Sequence, residues 1–306
     1  MAVIGVQTGG LTGLYGVDGA YRAIREAGFG AADANLDEML SYRDIVEKRR
    51  PAAFEAEGEE SLRFFRPWKD AAEKYGIINY QAHAPFPSCL AGEDEYNEFL
   101  MRALEKTLAG CAYIGCSRLV IHPFFFGYDK AMTPEDEWAL NLDRYTRLIP
   151  AAKKHGVTIL LENMFTRWRT KIYAACCSDF EIACRYVDEL NRIAGEDLFG
   201  FCLDTGHALL VGRDIRDVMV TLGSRVKAFH IHDNNGADDQ HTAPYMGVLD
   251  WNRFAEGLRL IGYRGALCFE THGAVNAFHG DLAPHVLRLI CESGKLFARM
   301  AGMDSD

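Results

Sequence analysis

Short apolar runs recur along this chain, separated by amphipathic stretches of helical period. The runs read VIGVQ, AADANL, IINYQAH, RLVIH, TILLEN, GFCLD, VKAFHIH and ALCFE, and each has the length of a buried strand. Between them, stretches such as EFLMRALEKTLAGCAYIG and EWALNLDRYTRLIPAAKKHG end in the Gly expected just past a helix C-terminus. Eight strand–helix units in 306 residues predict an α/β protein of the (β/α)8 TIM barrel kind, as a single domain over residues 1–306. A doubly wound open sheet would carry a Gly-rich phosphate turn after its first strand, and QTGGLTG does not match that fingerprint. No linker or low-complexity tract marks a second domain. The longest irregular segment, about 36–59, is charged and is expected to form a loop or lid beside the barrel mouth.

The pattern matters most at the strand ends. Six successive strands finish on His83, His122, Glu162, Asp204, His232 and Glu270. In a TIM barrel the C-terminal strand ends converge on one mouth, where active sites are built. Alternation adds that if His232 points inward, so does His230, deeper in the barrel and in a supporting position. Any one of the six taken alone reads more readily as a cap or turn residue than as a ligand. Six in register need a shared partner, because unpaired buried charge is costly. A metal ion is the simplest such partner. Two Glu, one Asp and one His form a hard, oxygen-rich set, which suits Mn²⁺, Mg²⁺ or Co²⁺ better than a thiolate-loving structural zinc. A divalent metal is therefore expected, Mn²⁺ ahead of Mg²⁺, Co²⁺ or Zn²⁺.

Composition narrows the partners. The formal net charge is −10 with scattered basic residues, which argues against a nucleic-acid partner. The segment MAVIGVQTGGL has no secretory pattern, no apolar run reaches membrane-spanning length, and the nine cysteines show no paired CxxC modules. A cytoplasmic location with reduced thiols and no membrane partner is expected, and a homo-oligomer is compatible with all of this.

Weaker features surround the main set. His207 stands three residues after Asp204, and Asp239 and His241 form an Asp-x-His pair; either could meet a substrate oxygen or a second metal. FTRWRT offers Arg167, Trp168 and Arg169, which could grip an anionic or sugar substrate, although an exposed basic loop is the favoured reading. PFFFG after His122 could wall the pocket or serve loop packing. Cys176–Cys177 is given no role.

The motifs ENM, CLDTGH, HIHDNNGADDQHTAPYMGVLDW and FETHG resemble the sugar phosphate isomerase/epimerase family of xylose isomerase-like TIM barrels, over nearly the whole chain. By that resemblance, ketose 3-epimerases imply a divalent metal held by Glu162, Asp204, His232 and Glu270. The two glutamates would act as the acid/base pair, and His207 would contact substrate. One departure is that Asp238 stands where those epimerases carry a substrate-binding Arg. Endonuclease IV shares the fold, and its metal-ligand types are matched in order by His83, His122, Glu162, Asp204, His207, His232, Asp239, His241 and Glu270. The expected function is a metal-dependent isomerase or epimerase of a sugar, sugar phosphate or keto-sugar, acting through an enediolate. The alternatives are an endonuclease IV-like phosphodiesterase and a lyase or dehydratase working on a keto-sugar or inosose through the same enolate.

Overall fold

A computed structural model describes residues 2–303. Its centre is a ring of eight parallel strands: β1 (Ile4–Gln7), β2 (Ala31–Asn35), β3 (Ile78–His83), β4 (Arg118–Val120), β5 (Thr158–Glu162), β6 (Phe199–Asp204), β7 (Val226–His230) and β8 (Leu267–Phe269). Strands β1 to β7 bond in sequence order, and β8 bonds to β1. The ring closes just beyond β7, where Ile231 pairs with Phe269. There the Ile231 N–H donates to the Cys268 carbonyl at 2.9 Å, and the Glu270 N–H donates to the Ile231 carbonyl at 3.0 Å. The expected (β/α)8 barrel is the fold observed.

The outer layer is formed by α1 (Leu11–Ala27), α2 (Arg66–Tyr75), α3 (Asp94–Tyr113), α4 (Pro134–His155), α5 (Phe180–Ala194), α6 (Ile215–Leu222), α7 (Trp251–Leu260) and α8 (Ala283–Met300). Local sequence explains their limits. The α4 helix begins at Thr133, whose side chain accepts from the Asp136 N–H, with Pro134 in the first turn and acidic residues at 135–137. It ends with Lys153, Lys154 and His155 against the negative end of its dipole, and left-handed Gly156 stops it.

Inside the ring the strands carry two distinct layers. Val120, Leu160, Cys202 and Ala228 form a small apolar cluster there. Two residues further along the same strands stand Glu162, Asp204 and His230. Pairing of β6 with β7 shifts register between Phe201 and Cys202, passing over Lys227. Cys202 therefore pairs with Ala228 and Asp204 with His230, so the histidine faces the same interior as the aspartate.

Segment 36–59 is not an open loop. It folds as a 3-10 turn (Leu36–Met39) and short helices Tyr42–Val46 and Ala52–Glu55, with Gly58–Leu62 following. Leu40, Ile45, Ala53 and Phe54 pack on Tyr96, Phe99, Leu100 and Ala103 of α3. Burying these side chains anchors the excursion to the barrel, which charge content alone did not reveal. FTRWRT likewise departs from the expected loop. Phe165–Trp168 pairs antiparallel with Lys171–Ala174 in a hairpin over the mouth.

Candidate functional site

The strand ends deliver their polar groups to one buried cup. One ligand atom each from Glu162, Asp204, His230 and Glu270 lies within 4.8 Å of the others. A second group on the same terms is His207, His232, Asp239 and His241; a third is His83, Glu162 and His230. Three of the four expected ligands thus converge directly. The fourth, His232, belongs to the adjoining group, with its Nε2 3.1 Å from both oxygens of Asp204. Asp204 joins the two groups.

His230 holds the floor. It is wholly buried, with Nδ1 3.1 Å from Glu162 Oε1 and 3.3 Å from Glu270 Oε2, while Nε2 lies 3.0 Å from Asp33 Oδ2. Gln81 donates to the same Asp33 oxygen at 2.9 Å, and Gln7 donates to Glu270 Oε1 at 2.7 Å. The supporting position expected for His230 is therefore filled, whereas Asp33, Gln81 and Gln7 carried no sequence signal of their own. His122 Nε2 lies 3.1 Å from Glu162 Oε2, and the His83 ring meets the His122 ring edge-on at 4.6 Å.

The DTGH segment serves two purposes. The Asp204 carboxylate caps the helix Thr205–Leu210 by accepting from the His207 N–H at 2.6 Å. Cap and candidate ligand are one residue. A Cβ on Gly206 would lie 1.9 Å from the His232 ring, so only glycine lets this helix start beside that imidazole. His207 Nδ1 is 2.9 Å from the Asn163 carbonyl, and its Nε2 is 3.6 Å from Asp239.

The aspartates of the HDNNGADDQH run divide by role. Asp233 is structural: its carboxylate accepts from the backbone N–H groups of Asn234 and Leu249 and from the Trp251 indole, pinning the loop that follows. Asp239 reaches His241 at 3.0 Å. Asp238 turns away and pairs with Arg167 at 3.1 Å, so a cation reaches this loop from the hairpin. Arg167 consequently sits at the rim rather than in the cup. His241 holds a positive φ of 47°, and its ring stacks on His232 at 4.0 Å and lies 4.2 Å from His272. His272, in the quoted FETHG motif, is a lining residue the sequence reading passed over.

Electrostatics here are those of a charge-dense, dry site. Burial opposes ionisation of Glu162 and Glu270, but the imidazoles, His230 foremost, hold both carboxyls below the usual range. For His207, burial is outweighed by the carboxylates of Asp204, Asp239 and Glu162, which raise it to about 10. His241 rises to about 9 against its burial, chiefly through Glu270 and Asp239. His272 falls to about 4 through burial and the neighbouring His241 charge. Asp37, in the 3-10 turn that follows β2, is raised to about 6 by burial and then by Glu270, and it too was unassigned in the sequence.

Does this donor set fit a divalent cation? Glu162 Oε2 and Asp239 Oδ1 are buried and make no well-formed hydrogen bond in the protein, one in each group, although His122 Nε2 stands 3.1 Å from the first. Buried carboxylate oxygens are normally satisfied. Two left open among convergent oxygens and imidazoles fit a divalent ion.

Comparisons with known proteins agree with the barrel. The xylose isomerase-like TIM barrel family model matches residues 21–290. An uncharacterized protein of Sinorhizobium fredii is 41% identical over 75 residues, 24% of each chain. An uncharacterized protein of Methanocaldococcus jannaschii is 24% identical over 198 residues, 63% of this chain. The chain thus spans 24% and 64% of the lengths of those two relatives. A putative hydroxypyruvate isomerase of Streptomyces coelicolor is 22% identical, covering 79% of this chain and 91% of that protein. A probable endonuclease 4 of Moorella thermoacetica is 24% identical, covering 70% and 75%. Among solved structures, an L-ribulose 3-epimerase superposes with TM-score 0.70 at 15% identity, covering 99% of this chain and 96% of the other. The 3-keto-D-glucoside 4-epimerase of E. coli gives 0.64 at 16% identity, covering 89% and 92%.

Proposed function

The chain belongs to the xylose isomerase-like TIM barrel family, and from that premise we propose that it is a divalent-metal-dependent isomerase or epimerase of a sugar or keto-sugar. One observation carries the reading: two buried glutamates from opposite parts of the ring, Glu162 and Glu270, meet at one imidazole nitrogen of His230. Holding two carboxylates together in a dry site is costly unless a cation and a reacting proton use them.

Glu162, Asp204, His232 and Glu270 would hold the ion, preferably Mn²⁺, with His230 orienting both glutamates from below. When bound, the metal supplies Lewis-acid polarisation that acidifies the C–H beside a substrate carbonyl. One glutamate takes that proton, leaving an enediolate, and the same or the other glutamate returns one. Return from the opposite face gives an epimer; return to the adjacent carbon gives the aldose–ketose isomer. Expulsion of a β-substituent from the same enolate would make the enzyme a lyase. His83, His122, His207 and His241 line the substrate space, and the rings of Phe86 and Phe165 lie 4.5 and 5.0 Å from His122 and His207, where they shield it from water. A small-molecule substrate and a cytoplasmic location complete the reading, and among the described residues no helix is long and apolar enough to cross a membrane.

The test follows solvent deuterium into a panel of ketoses, keto-sugars and their phosphates while metal content is measured in the same samples. Metal-dependent label next to the carbonyl supports the proposal, and Asp204→Ala should lose both metal and label. Full metal occupancy in that variant removes Asp204 from the ligand set, and no exchange with any metal-loaded carbonyl sugar removes the enzyme class.

A second reading has its own observation. His83, His207, Asp239 and His241 fall within the convergent groups and His122 Nε2 lies 3.1 Å from Glu162, enough donors for more than one ion. An endonuclease 4-like phosphodiesterase would use such a cluster. The net charge of −10 weighs against DNA as substrate. Metal-dependent incision of a duplex containing an abasic site at moderate salt would reverse the order.

A further inference from the structure

Beside the cup runs a second space that the proton-transfer chemistry does not use. A groove of about 450 Å³ extends outward between the β3 and β4 loops and the hairpin. Five aromatic residues, Tyr42, Phe86, Phe125, Phe126 and Phe165, are among the residues that line it. It adjoins the cup: Phe86 and Phe165, which line the groove, also stand with their ring centroids 4.5 and 5.0 Å from those of His122 and His207. Further out, Tyr128 stacks on Tyr173 at 4.5 Å and on Trp168 at 5.7 Å, extending the aromatic surface over the hairpin.

Resting on the reading of the cup as a site for a carbonyl sugar, we propose that this groove is a subsite for an uncharged, ring-shaped aglycone, so that the substrate is a glycoside of a keto-sugar, whose ring ketone supplies the carbonyl, rather than a free or phosphorylated sugar. A volume of this size accommodates a whole ring system beyond the sugar held in the cup. Flat apolar walls recognise flat apolar faces, by stacking and edge-on contact. Charge decides against a phosphate. Of the two cations at the rim, Arg167 is already engaged by Asp238 at 3.1 Å, which leaves Lys130 alone to face a dianion beside an acidic cup. The sugar would present its carbonyl carbon to Glu162 and Glu270 while the bond to the aglycone points along Phe86 toward Phe126. Phe125 and Phe126 come from the PFFFG segment and both line the groove and pack against the core, while Phe124 is buried in the core.

The experiment measures binding to the Mn²⁺-loaded protein by calorimetry, with the methyl and phenyl 3-keto-β-D-glucopyranosides, D-fructose and D-fructose 6-phosphate as probes. The phenyl glycoside should bind roughly tenfold or more tightly than the methyl glycoside, the size of a buried ring contact. Phe126→Ala and Tyr42→Ala should each reduce that advantage and leave the methyl glycoside unaffected. Equal affinity for both glycosides, or binding of neither, overturns the subsite. So does tightest binding by the sugar phosphate with loss on Lys130→Ala, which would make the groove an anion site. Deuterium exchange by the wild type is scored separately. Exchange without an aglycone preference sinks the groove alone, and an aglycone preference with no exchange on any carbonyl sugar sinks the isomerase reading alone.

Discussion

Leu160 and Glu162 lie on one strand, point to one interior and stand two residues apart. So do Cys202 and Asp204, and Ala228 and His230. In the lower layer Val120, Leu160, Cys202 and Ala228 make a plug of small apolar side chains that closes the barrel. In the upper layer the same strands carry Glu162, Asp204 and His230, equally buried, and Glu162 Oε2 makes no well-formed hydrogen bond in the protein. The lesson is a division of labour within each strand. The lower layer lowers the free energy of the fold, and the upper layer is held in place by it at a cost that only a ligand offsets.

The comparison breaks first at the upper layer. Glu162→Gln and Glu270→Gln keep shape but remove a proton acceptor, so each should lose about 10²–10⁴-fold in turnover. Their melting temperatures should change little by comparison. Steady-state rates with metal content measured alongside check this, and wild-type turnover with metal bound would end the paired-carboxylate mechanism.

The reverse pattern is expected one layer down. Leu160 is fully buried, and Leu160→Ala should cost about 2–5 kcal/mol of stability through lost contacts and a cavity. Turnover of the fraction that remains folded should stay near wild type. Denaturant unfolding paired with rates at low temperature reads both, and a loss of rate without loss of stability would mean the layers are not separable.

The smallest effect sharpens the boundary between them. Burial, then the charge of Glu270, raises the Asp37 carboxyl to about 6. A carboxyl raised on folding favours the folded state at low pH, and that contribution is lost as pH rises through about 6. Asp37→Asn removes the charged form, so it should melt a few degrees above wild type at about pH 8 and match it below about pH 4. Calorimetric melts across this range check the sign. Identical curves at both ends would place Asp37 in water.

Much of this was legible along the chain because a barrel converts sequence period into position. Glu162, Asp204 and Glu270 end strands, and eight such units bring strand ends to one mouth, so their meeting followed from the count. The grouping of the imidazoles did not. His230 was expected beneath the cup, yet its contacts to both glutamates arise from the register shift over Lys227, and no residue pattern announces that shift. His232 shares its carboxylate partner with a loop whose path depends on Asp233 bonding to residues sixteen and eighteen positions later.

Sequence by itself determined the barrel, the face on which chemistry collects and most of the side chains that collect there. Those properties rest on local periodicity and on the apolar character of each strand, which neighbouring residues alone define. Tertiary structure alone decided the anchoring of 36–59 on α3, the hairpin at FTRWRT, the turning of Arg167 to Asp238 and the aromatic groove. Each depends on contacts between segments far apart in the chain, where packing and charge pairing select one arrangement among many that the local sequence permits.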